Sequence, residues 1–580
     1  MEENSYLLKG DISGIQDFIF DVPSKGAAKQ LKARSFQIQM YGWLAEALVL
    51  ERIPTAKQIY NGGGNFYLLI PEEDWDVAVI ESLRQQMLEA LRVGNLTICL
   101  GYVQVQTGQT YAAQIEEVNR VTSQVKLSPH VEIENSDLHF HPFINSERYN
   151  QETYKKFTSK LSRSLSWEIS TQGGKDLNSL NHLCVNLHEK EATNAHHRLY
   201  RQLPIWQNDE AIAACDSFFK DEKQEDPTFE QPKVGDVIGF EYLAFFAKQR
   251  TGTGKLGILK LDVDNLGSIF TRLENQSNNQ FLSKQLSIFF SEHLDKLLDE
   301  TFTYRKRTTR DGQPIQKVKK LHNYDRKGKV DSIKYYEVQE HKAIYRHNLY
   351  IVFAGGDDCF IVGAWDAILE FMILLRKRFE SFQQDKILKE LPILAEPITL
   401  SASVHVVDAH YPVVQFSNLA EEGLHAAKTT ELNHDRLDAS GKAMKNCFSL
   451  MGKVFSWDDI EKLIALRNKL LQMILEYGEG KAFLHRMMEL FESPNNRQWR
   501  KWDKPFDPAI LWRFVYHFRN ISQEAYFRHH FYDYFFEKPG QGKSGGIYYR
   551  YLWNYFEAHR HTSQVIPVAA RWVELLTKNT

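Results

Sequence analysis

The chain has 580 residues, too many for one ordinary hydrophobic core, so three or four domains are expected. Its 43% hydrophobic and 25% charged residues are those of a soluble globular protein. With 71 basic against 74 acidic residues the net charge is −3, which excludes a polycationic chain and leaves any nucleic-acid contact to local patches.

The chain opens "MEENSYLLKGD", which is no signal peptide, and no apolar run reaches the roughly 18 residues of a membrane span. The five cysteines (Cys99, Cys184, Cys215, Cys359, Cys447) are scattered without a Cys-x-x-Cys pair. That pattern suits a reducing cytosol, and a cytoplasmic protein without membrane contact is expected.

In chain order, "YLLKGDISGIQDFIF" reads as an apolar strand ending on Asp11, then a Gly-containing turn into a helix. The next segment, "SKGAAKQLKARSF", carries Lys25, Lys29, Lys32 and Arg34, facing either a cleft or solvent. "QIYNGGGNFYLLI" then reads as a strand–turn–strand hairpin. Residues of about 126 to 248 are polar and turn-rich. There Cys184 and Cys215 lie near His182, His188, His196 and His197 without zinc-site spacing, so zinc is not expected.

"TGTGKLG" (251–257) lacks the full phosphate-loop pattern and precedes a strand, so it reads as a linker. "GILKLDVDNLGSIF" then repeats the strand–acid–turn–helix order with Asp262, and "LYIVFAGGDDCFIVG" repeats the hairpin. Asp11 to Gly62 is 51 residues and Asp262 to Gly355 is 93. The excess falls in a basic, hairpin-like insert at 304–334. A helix ("WDAILEFMILLRKRFESF"), a strand ("PITLSASVHVVD") and a helix over Phe416–Lys428 follow. The last has Phe416, Leu419, Ala420, Gly423, Leu424 and Ala427 on one face.

The order β-α-β-β-α-β is that of a ferredoxin-like fold, present twice. From about Ser456 the pattern is helical, with aromatic and basic groups toward the end that suit either a core or nucleic-acid stacking. The expected class is α+β and multidomain. A first, degenerate palm-like domain spans 1–125, a linker domain 126–248, a second palm-like domain 249–454, and a helical domain 455–580.

In the second copy the Gly-Gly-Asp-Asp turn carries Asp357 and Asp358, and the neighbouring first strand brings Asp262 beside them. Three carboxylates at a sheet end suit Mg²⁺ or Mn²⁺ rather than Zn²⁺. Two such ions about 3.5–4 Å apart serve nucleotidyl transfer. Lys428 and Lys445 are candidates for the triphosphate by position, and Asp264 contacts nucleotide or caps the following turn. In the first copy Gly64 and Asn65 stand where the acids stand, so the turn is kept without its ligands.

Together "GDISGIQDFIF", "GGGNFYLL", "DVDNLG", "FAGGDDCFIVGAW", "LSASVHVVDAHYPVVQFSNLAEEGLHAAK" and "KNCFSLMGKVFSWDDI" resemble the large subunit of type III CRISPR–Cas effector complexes, Csm-type. The resemblance covers about 5–125 and 235–460. It implies metal binding by Asp262, Asp357 and Asp358, and nucleotide contacts near Asn265, Gly267 and the Lys428 region; Asp264, Gly355, Gly356 and Lys445 complete the expected nucleotide-binding set. It also implies ATP as substrate, cyclic oligoadenylates as products, and activation by target RNA paired to CRISPR RNA. The implied partners are other type III Cas subunits, including the guide 5′-end-binding and small helical ones.

Two departures from that family matter. Many members begin with a histidine–aspartate nuclease domain, whereas here the palm motif starts at Lys9-Gly10-Asp11; His434-Asp435 reads as a solvated loop, and no DNase activity is expected. The linker also lacks the relatives' closely spaced cysteines. Alternatives remain: a cyclic dinucleotide, AMP joined to S-adenosylmethionine, or a non-catalytic RNA-binding scaffold.

Overall fold

The computed structural model describes residues 4–24, 26–91, 96–127, 151–171, 179–180, 182–190, 197–200, 202–225, 231–273, 275–309, 319–324, 330–394, 396–430, 432, 445–476, 480–492, 513, 516 and 564–579. His434 and Asp435 lie outside them. No described helix is long and apolar enough to cross a membrane.

The first unit runs β1 (Ser5–Ser13), α1 (Ile15–Phe20), α2 (Ala28–Arg52), β2 (Lys57–Gly62), β3 (Asn65–Pro71), α3 (Val77–Leu91), β4 (Thr97–Gln104) and α4 (Tyr111–Leu127). Its antiparallel sheet has the order β2-β3-β1-β4, the ferredoxin-like arrangement expected from the motif order. Strand alternation divides the sheet. Leu8, Ile12, Phe66, Leu68 and Ile70 face the main core, while Leu7, Ile59, Leu69, Val105 and Val118 form a smaller one toward α4. Lys9, Asp11, Asn65 and Tyr67 share the parity of that second face.

The segment that follows holds a four-stranded sheet: β5 (Ser166–Ser170), β6 (Ser179–Leu180), β7 (Leu183–His188) and β8 (His197–Arg198), in the order β6-β7-β5-β8. Its described histidines have these partners: His182 meets Glu51 at 2.7 Å, His188 meets Glu168 at 3.2 Å, and His197 stacks on Trp167; His196 lies outside the described residues. Helix α5 (Phe240–Thr251) runs across the expected boundary at 248 and packs on the second sheet. Gly252, at φ +82°, ends it, and "TGTGKLG" is the turn into the next strand.

The second unit comprises β9 (Lys255–Val263), α6 (Leu266–Arg272), α7 (Gln276–Ile288), β10 (Thr301–Thr309), β11 (Lys319–Tyr324), β12 (Val330–Ile344), β13 (Leu349–Gly355), β14 (Asp358–Ala364), α8 (Trp365–Phe382), β15 (Leu400–Asp408), α9 (Val414–Lys428), β16 (Cys447–Leu450) and β17 (Lys453–Ser456). The main sheet has the order β13-β14-β9-β15-β16-β17, so its first four strands repeat the first unit. The basic insert is a separate antiparallel sheet, β10-β12-β11.

β9 is buried on both faces. Leu259, Leu261 and Val263 join a core with α8 and the C-terminal helices, whereas Leu256 and Ile258 join the core shared with the first unit. Lys260 and Asp262 have the parity of the shared face. The C-terminal helices α10 (Ile460–Leu475), α11 (Ala482–Glu492) and α12 (Val565–Leu576) cover the other one. Arg467 lies over Trp572, and Thr253 Oγ1 donates to the Leu575 carbonyl at 2.8 Å.

Two of the basic residues of α2, Lys32 and Arg34, have other work than a cleft or solvent. Lys32 is buried at the joint, with Nζ donating to the Ile351 carbonyl at 3.3 Å, and Tyr350 Oη donates to the Ala28 carbonyl at 2.6 Å. Arg34 donates to the Phe18 carbonyl at 2.6 Å. Lys29 is exposed, and Lys25 lies outside the described residues.

Candidate active site

The two hairpins superpose residue for residue in register. In the second unit Asp358 pairs across the ladder with Asp262 on one side and Gly355 on the other. In the first, Asn65 pairs with Asp11 and Gly62. Each hairpin carries an irregularity at the same offset, between Gln58 and Tyr60 and between Ile351 and Phe353. Each turn also receives the same backbone bond: Val263 N–H to the Asp357 carbonyl at 2.8 Å, and Ile12 N–H to the Gly64 carbonyl at 2.9 Å.

The turns differ in handedness. Gly63 and Gly64 have φ of 62° and 83°, so both central residues are left-handed. Only Gly356, at 65°, is so in the second turn, which leaves Asp357 in ordinary backbone.

Around each strand-end acid the same four positions recur. In the second unit Lys428, the last residue of α9, pairs with Asp262, and Lys260, on the same face of β9, pairs with Glu421. In the first, Lys126 of α4 meets Asp11 at 2.7 Å, while Lys9 lies 3.3 Å from Asp11 and 3.0 Å from Asn119 Oδ1. The sequence carries a trace of this in "LLKGD" and "ILKLD", each with a lysine two residues before the acid. Motif reading followed the acids and passed over those lysines. It also passed over Gln16, which donates to Glu421 at 2.6 Å and accepts from Ser417 Oγ at 2.8 Å, tying the first unit to this network.

Burial pushes all three acids upward. Asp262 is raised by desolvation, against which the Lys428 ammonium pulls it down. Asp357 is raised mainly by burial, and Asp358 is raised to about 7 by burial and then by the Asp357 charge. This is a site short of positive charge. Lys428 already holds the Asp262 carboxylate, and among the described residues no three His, Cys, Asp or Glu side chains converge as they stand. The donor set is all oxygen, which fits a hard divalent cation, and the lysine occupies the Asp262 oxygen such a cation would need.

The remaining expected contacts are dispersed. Asp264 is only 2% exposed and turned inward: Oδ1 accepts from Ser401 Oγ at 2.7 Å, and Oδ2 from Thr399 Oγ1 at 2.8 Å and Asn446 N–H at 2.9 Å. It caps an internal joint. Asn265 starts α6 with φ 54°, and a Cβ on Gly267 or Gly355 would meet nothing within 4 Å, so backbone is accessible there. Gly356 faces Tyr60 of the first unit. Lys445 immediately precedes Asn446 on the approach to β16, on the Asp264 side.

Between the units lies a cleft of about 620 Å³, whose walls include Lys9, Asp11, Tyr60 and Asn65 of the first and Gly267 and Asp357 of the second. Of the second unit's three acids Asp357 opens onto this cleft, across from Asp11 and Glu116 of the first.

Comparison with known proteins accords with this layout. The family described as Cas10/Cmr2, second palm domain, matches residues 255–437, and Csm1 subunit domain B matches 4–143. Curated relatives called CRISPR system single-strand-specific deoxyribonuclease Cas10/Csm1 (subtype III-A) include those of Methanocaldococcus jannaschii and Mycobacterium tuberculosis. The first is 26% identical over 78% of this chain and 59% of the relative; the second is 24% identical over 85% and 61%. The chain therefore spans about 60% of their length.

Among solved structures, a Csm1–Csm4 subcomplex of the type III-A interference complex has a TM-score of 0.59 at 18% identity, covering 98% of this chain and 70% of that one. A Csm1–Csm4 cassette in complex with cA4 has a TM-score of 0.58 at 17% identity, covering 99% and 70%. With both units matched in order along the chain, it belongs to the Cas10/Csm1 family of type III CRISPR large subunits.

Proposed function

We propose that the second unit is a nucleotidyltransferase that joins ATP into cyclic oligoadenylates within a type III complex, switched on by target RNA paired to the guide. The observation that carries this is the direct cross-strand pairing of Asp262 with Asp358, with Asp357 on the adjoining turn, in a frame the first unit keeps without those acids. Structures sharing the fold contain AMPPNP, one ATP, pppApA, cA3 or cA4, the substrates, intermediate and products such a reaction requires.

Asp262, Asp357 and Asp358 would hold Mg²⁺ or Mn²⁺, which when bound activates a ribose 3′-hydroxyl and neutralises the leaving pyrophosphate. The chain's own part is placement. The β9–β14 register fixes two carboxylates side by side, and the turn presents the third. Lys428 at the end of α9, which holds Asp262, would be free to meet the phosphates once a cation took that carboxylate. The exposed backbone at Asn265, Gly267 and Gly355 lets a nucleotide approach closely.

The test is to purify the chain with its co-expressed partners, supply target RNA, ATP and Mg²⁺ or Mn²⁺, and identify products by mass spectrometry. Cyclic oligoadenylates are expected, and none from the Asp357→Ala/Asp358→Ala variant. A product that forms only with S-adenosylmethionine overturns the cyclase reading. No product under any condition, with RNA binding intact, leaves a scaffold.

A further inference from the structure

The internal repeat supplies a control for every residue of the first unit, because the second unit shows what each position needs merely to fold. At the hairpin after the shared irregularity, the first unit holds Tyr60 opposite Tyr67, and the second holds Phe353 opposite Phe360. The ring pairs are alike: centroids 6.2 Å apart and tilted 55° in the first, 5.7 Å and 36° in the second. A phenyl ring therefore satisfies the packing at both places. The hydroxyls are the addition.

Both added hydroxyls belong to the wall of the cleft that Asp357 shares. Tyr67 Oη has a partner, donating to Asn119 Oδ1 at 2.7 Å. Tyr60 Oη has no hydrogen bond among the described residues. It lies between the two turns: a Cβ built on Gly62 would fall 2.8 Å from it, and one on Gly356 3.1 Å. Glycine at both places leaves room for the oxygen, which the first unit thereby delivers to the second unit's acidic turn.

The cleft walls carry Lys9 with its partner Asp11, and Glu116 and Asp357 besides, so the group beside Tyr60 is one that tolerates carboxylates. A ribose hydroxyl does, being neutral and able to donate as well as accept; a phosphate oxygen does so only across a cation. A phenol matches it, since it also donates and accepts.

We propose that Tyr60 of the first unit hydrogen-bonds a ribose hydroxyl of the nucleotide that reacts at the Asp357–Asp358 turn. This rests on the nucleotidyl-transfer reading above. It adds a nucleotide-contacting residue from the half of the repeat that lacks the acids.

The test is a cycle of Tyr60→Phe against ATP, 2′-deoxy-ATP and 3′-deoxy-ATP in the assembled complex with Mn²⁺. Binding is followed by equilibrium dialysis, and turnover with ATP by product formation. The fold accepts the substitution, since Phe353 already occupies the matching place. Tyr60→Phe is expected to weaken ATP binding up to about tenfold, the scale of one lost hydrogen bond. One of the two deoxy analogues, lacking the contacted hydroxyl, should bind the wild type and the variant equally.

Unchanged ATP affinity and kcat/KM in the variant overturn the proposal, as does a loss that persists with both analogues. If the wild type binds ATP yet makes no nucleotide product, the nucleotidyl-transfer reading falls and the binding cycle alone decides Tyr60. If it binds no ATP, both fall.

Discussion

Asp264 offers a sharp test, because motif reading and geometry give it different jobs. As a nucleotide contact it would face the cleft; in the structure its carboxylate takes Thr399 Oγ1, Ser401 Oγ and Asn446 N–H at 2.7–2.9 Å while 2% exposed. Replacement by Ala strands three donors. The two hydroxyls can rotate toward other acceptors, but the Asn446 N–H is fixed in the backbone and cannot. Bonds to a charged acceptor contribute about 1.5–3 kcal/mol each, and an unmet buried donor costs about 1–3 kcal/mol. With the hydroxyls partly rescued, Asp264→Ala should destabilise by about 3–5 kcal/mol.

Asp264→Asn keeps one oxygen and turns an NH₂ toward a donor, so about 1–3 kcal/mol is expected. The assay is urea unfolding followed by Trp fluorescence, with Mn²⁺ affinity measured in parallel on folded protein. Loss of stability with Mn²⁺ affinity kept within about threefold agrees with an internal cap; a divalent ligand would lose far more. A variant as stable as the wild type that loses Mn²⁺ affinity tenfold or more would refute the reasoning.

Three further outcomes follow from the same geometry. Lys428→Met removes the ammonium that holds Asp262, so Mn²⁺ affinity should rise severalfold while turnover falls, read by calorimetry and product formation. Asp358 is raised to about 7, so protons compete with the cation, and Mn²⁺ affinity should drop up to about tenfold per pH unit below 7. Because its folded value lies above the unfolded one, the metal-free protein should lose stability as pH rises from about 4 to about 7, a trend that saturating Mn²⁺ reverses. Arg250 grips Asp366 through Nε at 2.6 Å and Nη2 at 2.8 Å while Nη1 holds Asn348, all buried. Arg250→Met should therefore destabilise by about 3–5 kcal/mol by leaving Asp366 unpaired, measured as a lower urea midpoint.

The repeat was legible because its parts are local: an apolar strand ending on an acid, a helix, and a glycine turn set their own geometry. Sheet order and alternation put Asp262 and Asp358 at the same end of neighbouring strands, and the register then sets them directly opposite. Asp264 was not legible. Two residues past Asp262 it shares that parity, but the strand has ended, and its partner Asn446 lies 182 positions away. Lys428 was placed near the triphosphate from its helix; its bond to Asp262 depends on how α9 crosses the sheet. Gln16 and Tyr60 act across the joint between units, with Gln16 405 positions from Glu421, where no local pattern reaches. The basic residues of α2 carried a charge signal, yet Lys32 is swallowed by the joint because Tyr350 and Ile351 offer it partners there.

The handedness of the two turns bears on whether the first unit's loss can be undone. Asn65 sits in register for an acid, so a single substitution restores a carboxylate opposite Asp11. Position 64 is different. Its φ of +83° penalises any L side chain by about 1–2 kcal/mol, and a Cβ there would lie 2.7 Å from Ile15 Cδ1. The counterpart of Asp357 therefore returns only against backbone strain, and with the Ile15 side chain moved aside. The two turns are therefore not interchangeable: the first unit serves as a wall of the cleft, and restoring its second acid carries a backbone cost that restoring its first does not.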